Sequence, residues 1–180
     1  ADLADGHAAV WACLARPGAW LTAAQKVAAA AETRASATCA LCAERKQALS
    51  PMWVQGEHAR VTDLPEPWVD LIHRIATDAG RMNRALFDAA AAQGIDACVW
   101  VELVGVVSFV LSVDTFHRAL DLPLAALPEP QPGQPARQRP AHTDDIGAWV
   151  PVLSKKSPEA PAVWSETVSY THLRAHETTV

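Results

Sequence analysis

The sequence predicts an all-α domain followed by an extended proline-rich arm. Alanine dominates the first hundred residues, together with Leu, Glu, Arg and Gln, and all of these residues favour helix. Apolar residues recur there at helical spacing. Nine of the 13 prolines follow residue 122, and such a segment favours extended chain over helix. We therefore expect a helical bundle over residues 1–122 and an extended arm over residues 123–167.

Caps and helix breakers divide the first part of the chain into six predicted helices. Thr22 is expected to cap a helix, because Gln25 three residues later completes a capping box. Asp78 is expected to open another helix and Gly94 to end it. Residues 53–65 are mixed in character and are expected to form a loop. The predicted helices cover about residues 8–16, 22–36, 38–49, 66–76, 78–93 and 98–120.

The most apolar segment, residues 98–113, carries one carboxylate, Glu102, in its interior. It is short for a membrane span, and its valines would suit a strand, but the length without a turn signal favours a buried helix. A carboxylate buried alone is costly. Glu102 is therefore expected either to transfer protons or to form an ion pair with an arginine such as Arg34 or Arg74.

A single C-x-x-C motif, formed by Cys39 and Cys42, is the most informative pattern in the sequence. Two thiols three residues apart share one face of a helix and can close a disulfide. Near a helix N-terminus the macrodipole also lowers the pKa of a thiol. A redox dithiol, half of a zinc site and thiols that merely pack all fit the motif. A closed zinc site needs two more ligands and no second C-x-x-C exists, so we expect no metal and no cofactor.

The net charge and the cysteine count indicate which partners and which cellular compartment to expect. A net charge of -5 argues against a nucleic-acid partner, and no membrane partner is expected. Four cysteines do not make a disulfide scaffold. Cys13 and Cys98 stand alone among apolar residues and are expected to be buried. These features predict a cytoplasmic, reducing compartment.

The last residues read VSYTHLRAHET over positions 168–178, a string that resembles a translated sequencing adapter. Residues 168–180 are therefore expected to be a non-native tail. His172 and His176 in this tail have the spacing of a helical zinc half-site. No function is assigned to them.

Three segments of the chain carry a resemblance to a known superfamily. They read LTAAQKVAAAAETRASATCALCAERKQALSP, VDLIHRIATDAGRMNRALFD and WVELVGVVSFVLSVDTFHRALDLPL. Together with the order of elements, they resemble the AhpD-like alkylhydroperoxidase superfamily, which includes carboxymuconolactone decarboxylases, and in particular an uncharacterised alkylhydroperoxidase-related branch. The resemblance covers about residues 8–153. It implies an all-helical fold, assembly into trimers or larger rings, and a dithiol that reduces peroxides and is re-reduced by a partner protein.

The peroxidase motif of that superfamily is E-x11-C-x2-C-x3-H, in which the Glu and His move protons between thiols and substrate. Its cysteines match Cys39 and Cys42, but its Glu position falls on Val27 and its His position on Lys46. A lysine one turn after Cys42 can stabilise a thiolate, yet it is a poor proton shuttle at neutral pH.

The last predicted helix offers a replacement for the missing groups. When Glu102 is aligned with the motif Glu, His117 falls on the second cysteine position. This predicts a composite site in which Cys39 and Cys42 work with Glu102 and His117. His73, on the inner face of its helix, is a further candidate proton carrier. A surface position for His117 and a satisfied core position for His73 are the alternatives.

The leading functional hypothesis is a thiol-dependent peroxidase or thiol–disulfide oxidoreductase. The superfamily implies that Cys42 attacks the peroxide and Cys39 resolves the product to a disulfide. A non-catalytic helical oligomer with a structural or redox-sensing dithiol is the alternative. A cofactor-free decarboxylase or lactone-type enzyme using Glu102 is a third hypothesis. His7, His58 and His142 are expected to lie in loops or at the frayed start of the chain and are given no role.

Overall fold

The computed structural model describes residues 3–139, 141–147 and 149–154, and it is mostly helical, which confirms the all-α class. A first compact unit ends at Arg137 and a second begins at Gln138. The predicted boundary after residue 122 stays a prediction. The first unit contains α1 Leu3–Leu14, α2 Ala23–Ala35, α3 Ala40–Gln47, α4 Glu66–Asp78, α5 Arg84–Ala92 and α6 Ala97–Ala119, with 3-10 turns at Ser36–Thr38, Pro51–Trp53 and Ala79–Arg81.

Local side-chain chemistry fixes where several helices begin and end. The capping box at α2 is confirmed: Thr22 Oγ1 accepts from the Gln25 N–H at 3.2 Å, and Gln25 Oε1 accepts from the Thr22 N–H at 2.9 Å. Asp96 caps α6 by accepting from the Cys98 N–H. Gly94 follows α5 with φ +88°, a conformation that glycine adopts without strain.

The predicted start of α5 at Asp78 is wrong. Asp78 is the last residue of α4, and the 3-10 turn Ala79–Arg81 separates it from α5. Asn83 is the true cap, because its side chain accepts from the Leu86 N–H at 3.0 Å. The other predicted helices are present, with ends that shift by a few residues.

Helices α2, α4 and α6 pack against one another and form the core of the first unit. Leu103 and Val107 of α6 and Val69 and Ile72 of α4 are completely buried. By length and hydropathy, α6 is the one helix of the described residues that meets the requirements of a membrane span. Its buried face packs against its neighbours, as in the core helix of a soluble protein.

Arg34 ties the end of α2 to the end of α6 and to the chain that follows. Its guanidinium donates to both carboxylate oxygens of the buried Asp114, at 2.9 and 2.7 Å, and to the Ala125 carbonyl at 2.8 Å. The Trp11 indole N–H donates to the Ala126 carbonyl at 2.7 Å. These bonds hold the segment after α6 against the helices.

The segment predicted as an extended arm contains no helix between residues 123 and 139. In the second unit, β1 (Thr143–Asp144) pairs antiparallel with β2 (Val152–Leu153). Residues 155–167, and the predicted non-native tail over residues 168–180, lie outside the described residues.

Candidate functional site

The two cysteines lie at the N-terminus of α3. The prediction that both are inside a helix is wrong for Cys39, which has extended backbone and stands at the N-cap position after the turn Ser36–Thr38. Cys42 lies in the first turn of α3. Both side chains are buried, with exposures of 2% and 4%. The positive end of the helix dipole therefore favours the thiolate form of both.

Two buried histidines contact the thiols. Cys42 Sγ lies 3.3 Å from His73 Nδ1 and 3.6 Å from His58 Nδ1, and Cys39 Sγ lies 3.5 Å from His58 Nδ1. His73 comes from α4, which confirms its predicted inner position, and His58 comes from the loop before α4. The expectation that His58 has no role is wrong, because this loop folds inward over the cysteines.

Each imidazole has a carboxylate on its outer nitrogen. His73 Nε2 lies 3.1 Å from Glu32 Oε2, and His58 Nε2 lies 2.9 Å from Asp70 Oδ1. A carboxylate can only accept, so the N–H of neutral His73 sits on Nε2. The same tautomer lets His58 donate to Asp70, although Arg45 Nη1 also lies 3.1 Å from His58 Nε2. The Nδ1 lone pair of both histidines then faces the thiols, ready to accept a proton or to bind a metal ion.

Glu32 is a completely buried carboxylate that joins α2 to the loop over the site. Its Oε1 accepts from the Val61 N–H at 2.9 Å and from the Thr62 hydroxyl at 2.6 Å. Burial raises the pKa of Glu32, but these hydrogen bonds and the one from His73 outweigh burial and lower that pKa overall. Glu32 is therefore ionised at neutral pH and can stabilise a protonated His73.

Asp70 is held ionised by a set of donors. Burial raises its pKa, but hydrogen bonds from His58 and Arg74, with a further contribution from Arg45, hold the pKa of Asp70 well below its usual range. Arg45 also donates to the Val54 carbonyl at 3.2 Å, which fixes the loop that carries His58. The second imidazole thus has an anchored carboxylate of its own.

The pKa of the Cys39 thiol is shifted strongly downward. Burial raises it, but backbone hydrogen bonds to Ala59 and Cys42 outweigh burial, and His58 and His73 add to them, so that the pKa of Cys39 falls to about 6. The pKa of Cys42 is also lowered, by both histidines and against the effect of burial. At neutral pH at least one of the two sulfurs is a thiolate.

The pKa values of the two histidines are shifted upward, opposite to those of the thiols. Burial lowers the pKa of His58, but the hydrogen bond to Asp70, followed by those to Cys42 and Cys39, raises it to about 10. The pKa of His73 is raised as well, against the effect of burial, by its bonds to Cys42 and Glu32. The site therefore favours imidazolium–thiolate pairs, which is the form in which a thiol is a nucleophile.

A cleft of about 300 Å³ is lined in part by Cys39 and Cys42. Its walls include the cations Lys46 and Arg118, and Thr77 contributes a hydroxyl. Lys46, one turn after Cys42, lines this cleft.

The predicted composite site is wrong, because the structure places Glu102 and His117 elsewhere. Glu102 Oε2 accepts from the backbone N–H groups of Trp20 and Leu21 at 2.7 and 3.1 Å, so it supports the loop before α2. His117 Nδ1 donates to the Pro123 carbonyl at 2.6 Å. The predicted ion pair of Glu102 is absent from the described residues too, since its arginine candidates pair with aspartates.

Glu32, His58 and Asp70 are the members of the site that the sequence did not indicate. They come from α2, a loop and α4, and no local spacing links them to the C-x-x-C motif. The predicted burial of the other two cysteines is also wrong, since Cys13 is exposed and Cys98 is partly exposed.

The folded chain brings two further candidate metal ligands, His58 and His73, to the C-x-x-C. The ligand atoms of Cys39, Cys42, His58 and His73 all lie within 4.8 Å of one another, and all four residues are buried. The arrangement can act in proton and electron transfer or hold a metal ion.

No protein-family model, curated protein or solved structure matches the chain. The geometry of the site is accordingly the basis for the function proposed next.

Proposed function

We propose that this protein is a thiol-dependent peroxidase, or a related thiol–disulfide oxidoreductase, that works through Cys39 and Cys42. One observation carries the proposal: buried imidazoles contact both thiols, and each imidazole is anchored by a carboxylate, the buried Glu32 for His73 and the partly exposed Asp70 for His58. This constellation supplies a nucleophile, a proton carrier and a group that orients the carrier.

Glu32 and His73 take the roles that the AhpD-like resemblance assigns to the positions of Val27 and Lys46. The chain Glu32–His73–Cys42 has successive contacts of 3.1 and 3.3 Å, short enough for proton transfer. We therefore propose an AhpD-like bundle in which Glu32 and His73 replace the motif Glu and His.

In the first step, the Cys42 thiolate attacks the terminal oxygen of a hydroperoxide. An S–O bond forms, the O–O bond breaks, and the leaving alkoxide or hydroxide takes a proton from the His73 imidazolium. The sulfur is oxidised to a sulfenic acid and the peroxide is reduced to an alcohol or water. Ionised Glu32 stabilises the imidazolium before it gives up its proton.

In the second step, the Cys39 thiolate attacks the sulfenic sulfur of Cys42. The S–S bond forms, the S–O bond breaks, and the hydroxide that leaves is protonated to water. The low pKa of Cys39 keeps it ready for this attack. A dithiol of a reducing partner protein, in a cytoplasmic compartment, would then return the disulfide to two thiols by exchange.

Peroxide turnover in the presence of dithiothreitol tests the proposal. The C13S/C98S double variant is the proper background, because Cys13 and Cys98 are the other thiols of the chain. We expect hydrogen peroxide or an organic hydroperoxide to be consumed catalytically and Cys42→Ser to abolish turnover. When dithiothreitol is removed before peroxide is added, Cys39→Ser should accumulate a sulfenic acid that dimedone labels at Cys42. Full activity of Cys42→Ser, or no turnover of any peroxide tried, would overturn the proposal.

The near-complete burial of both sulfurs favours one competing function, a non-catalytic protein whose dithiol is structural or senses redox state. It predicts that the Cys39→Ser/Cys42→Ser double variant changes stability or assembly while no catalytic turnover exists to be lost. The same peroxide assay separates the two functions, because a sensor is oxidised once per molecule in the absence of reductant and shows no sustained turnover.

A further inference from the structure

The two sulfurs and the two Nδ1 atoms have the spacing of the corners of a tetrahedral metal site. Zinc bonds of about 2.3 Å to sulfur and 2.0–2.1 Å to nitrogen place neighbouring S and N ligands about 3.6 Å apart in a tetrahedron. Three of the four S···N distances here are 3.3, 3.5 and 3.6 Å. All four ligand atoms lie within 4.8 Å of one another.

The outer contacts of the histidines match those of metal ligands. A metal-bound imidazole commonly donates its other N–H to a carboxylate, which fixes the tautomer and the ring orientation. His73 does so to Glu32 and His58 to Asp70, each through Nε2, which leaves Nδ1 for a metal ion. Neither carboxylate lies in the ligand set itself, so the site offers two sulfurs and two nitrogens.

The donor set selects the class of ion. Two thiolates and two imidazoles in tetrahedral arrangement suit Zn²⁺, whereas Mg²⁺ and Ca²⁺ prefer oxygen ligands. Four protein ligands fill the coordination of zinc and leave no position for water or substrate. An ion in this site would therefore slow the oxidation of both thiolates relative to the metal-free pair.

We propose that the reduced Cys39/Cys42 pair binds one Zn²⁺ together with His58 and His73, and that oxidation of the pair releases the ion. The release step rests on the proposed function, and the binding step does not. For release, a peroxide takes one electron from each thiolate sulfur as the S–S bond forms. Its O–O bond breaks, two protons from solvent complete two waters when hydrogen peroxide is the oxidant, and zinc leaves with its charge unchanged.

Titration of the reduced, metal-free chain with Co²⁺ as a spectroscopic probe, followed by displacement with Zn²⁺, tests the site. In the C13S/C98S background we expect one ion per chain, the visible bands of tetrahedral cobalt, and an ultraviolet thiolate-to-cobalt band. His58→Ala and His73→Ala should abolish the tetrahedral spectrum, while His142→Ala, at an exposed histidine of the second unit, should leave it unchanged. Asp70→Asn should lower the affinity of the site for zinc about tenfold.

A second test uses the unaltered chain and does not depend on whether the variants fold. It measures whether zinc protects the thiols from alkylation. We expect stoichiometric Zn²⁺ to block alkylation of Cys39 and Cys42, and hydrogen peroxide to release zinc to a chromogenic chelator as the disulfide forms. Absence of stoichiometric binding, or an unchanged cobalt spectrum in a His58→Ala/His73→Ala double variant, would overturn the site. Retention of zinc by the disulfide form would overturn the release step.

Failure of the metal site and failure of the peroxidase are distinguishable. Metal binding is measured without peroxide, and peroxide turnover is measured with the metal-free chain in the presence of a chelator. A chain that turns over peroxide but binds no zinc contradicts only the metal site. A chain that binds zinc but turns over no peroxide contradicts the catalytic proposal and the release step that rests on it, and leaves the zinc site intact.

Discussion

The two nitrogens of each site histidine contact different groups, a sulfur on one side and a carboxylate on the other. Both direct Nδ1 toward sulfur and Nε2 toward a carboxylate, so both rings hold the same orientation although they come from different elements. A core histidine that is merely satisfied needs one partner, commonly a backbone carbonyl. Here each ring bridges an anchored anion and a thiol, and this bridging lowers the pKa of the sulfurs.

The first prediction at this scale concerns pH. In the metal-free, reduced C13S/C98S protein, the alkylation rate of Cys39 should rise with a midpoint near pH 6, because its pKa is lowered to about 6. The same shift makes stability depend on pH. The unfolded chain binds more protons between that value and the ordinary thiol pKa of about 8.5, so stability from this group rises with pH across the window.

Iodoacetamide labelling followed by peptide mass spectrometry measures this midpoint for Cys39 separately from Cys42. His58→Ala removes one of the hydrogen bonds that lower the pKa of Cys39, and it should move the midpoint upward. A midpoint above pH 8 in the unaltered site would contradict the imidazolium–thiolate pair.

Sequence reasoning found part of this site. Cys39 and Cys42 were recognisable from their spacing, and His73 from its place on the apolar face of α4. Glu32 and His58 were not, because their contacts with the site depend on how a loop of irregular backbone folds over α2. No periodicity describes such a loop.

At the scale of the elements, Glu102 has a structural role rather than a catalytic one. Its carboxylate on α6 accepts from two consecutive backbone N–H groups in the loop that leads into α2. The loop comes so close that a Cβ on Gly18 would collide with the carboxylate. An apolar helix therefore carries this charge because it anchors a neighbouring loop, a role that helical periodicity cannot reveal.

Glu102→Ala should consequently lower the free energy of unfolding by about 1–3 kcal/mol, the cost of leaving buried N–H groups without an acceptor. Urea denaturation measures the loss, and Glu129→Ala, at an exposed carboxylate, is the matched control. The alkylation rates of Cys39 and Cys42 should stay unchanged in the folded variant. Slower alkylation of Cys39 or Cys42 in a folded Glu102→Ala variant would contradict a purely structural role of Glu102.

The helix pattern itself was largely predictable. The capping box at Thr22 and the apolar run of α6 gave the correct elements, since both signals are local. The start of α5 was misjudged because Asp78 and Asn83 are both good caps, and the sequence does not say which one the packing of α4 makes available.

At the scale of the whole molecule, assembly follows from the resemblance as a proposal. The resemblance implies a trimer or a larger ring, and Val101 and Phe109 on α6 leave apolar surface exposed, at 49% and 55%. In the assembly that the resemblance implies, these two side chains would lie at a subunit interface. Both residues lie in residues 98–113, the most apolar segment of the sequence.

Phe109→Lys should therefore shift the protein from an oligomer toward a monomer, because a charge at an apolar interface must be desolvated. Size-exclusion chromatography with light scattering measures the mass in solution. Leu49→Lys changes a fully exposed residue outside α6 and is the matched control. A monomeric unaltered chain, or an oligomer that withstands Phe109→Lys, would contradict this assembly.

The most direct test of the account is the rate at which peroxide oxidises the reduced, metal-free dithiol in single-turnover stopped flow. Glu32→Gln keeps a hydrogen-bond acceptor for His73 but removes the charge, and Glu66→Gln is the matched control at an exposed carboxylate. We predict rapid formation of a Cys39–Cys42 disulfide, slowed about tenfold or more by Glu32→Gln and unchanged by Glu66→Gln. Oxidation no faster than that of a free thiol, or a rate insensitive to Glu32→Gln, would contradict the proposed proton-transfer chain.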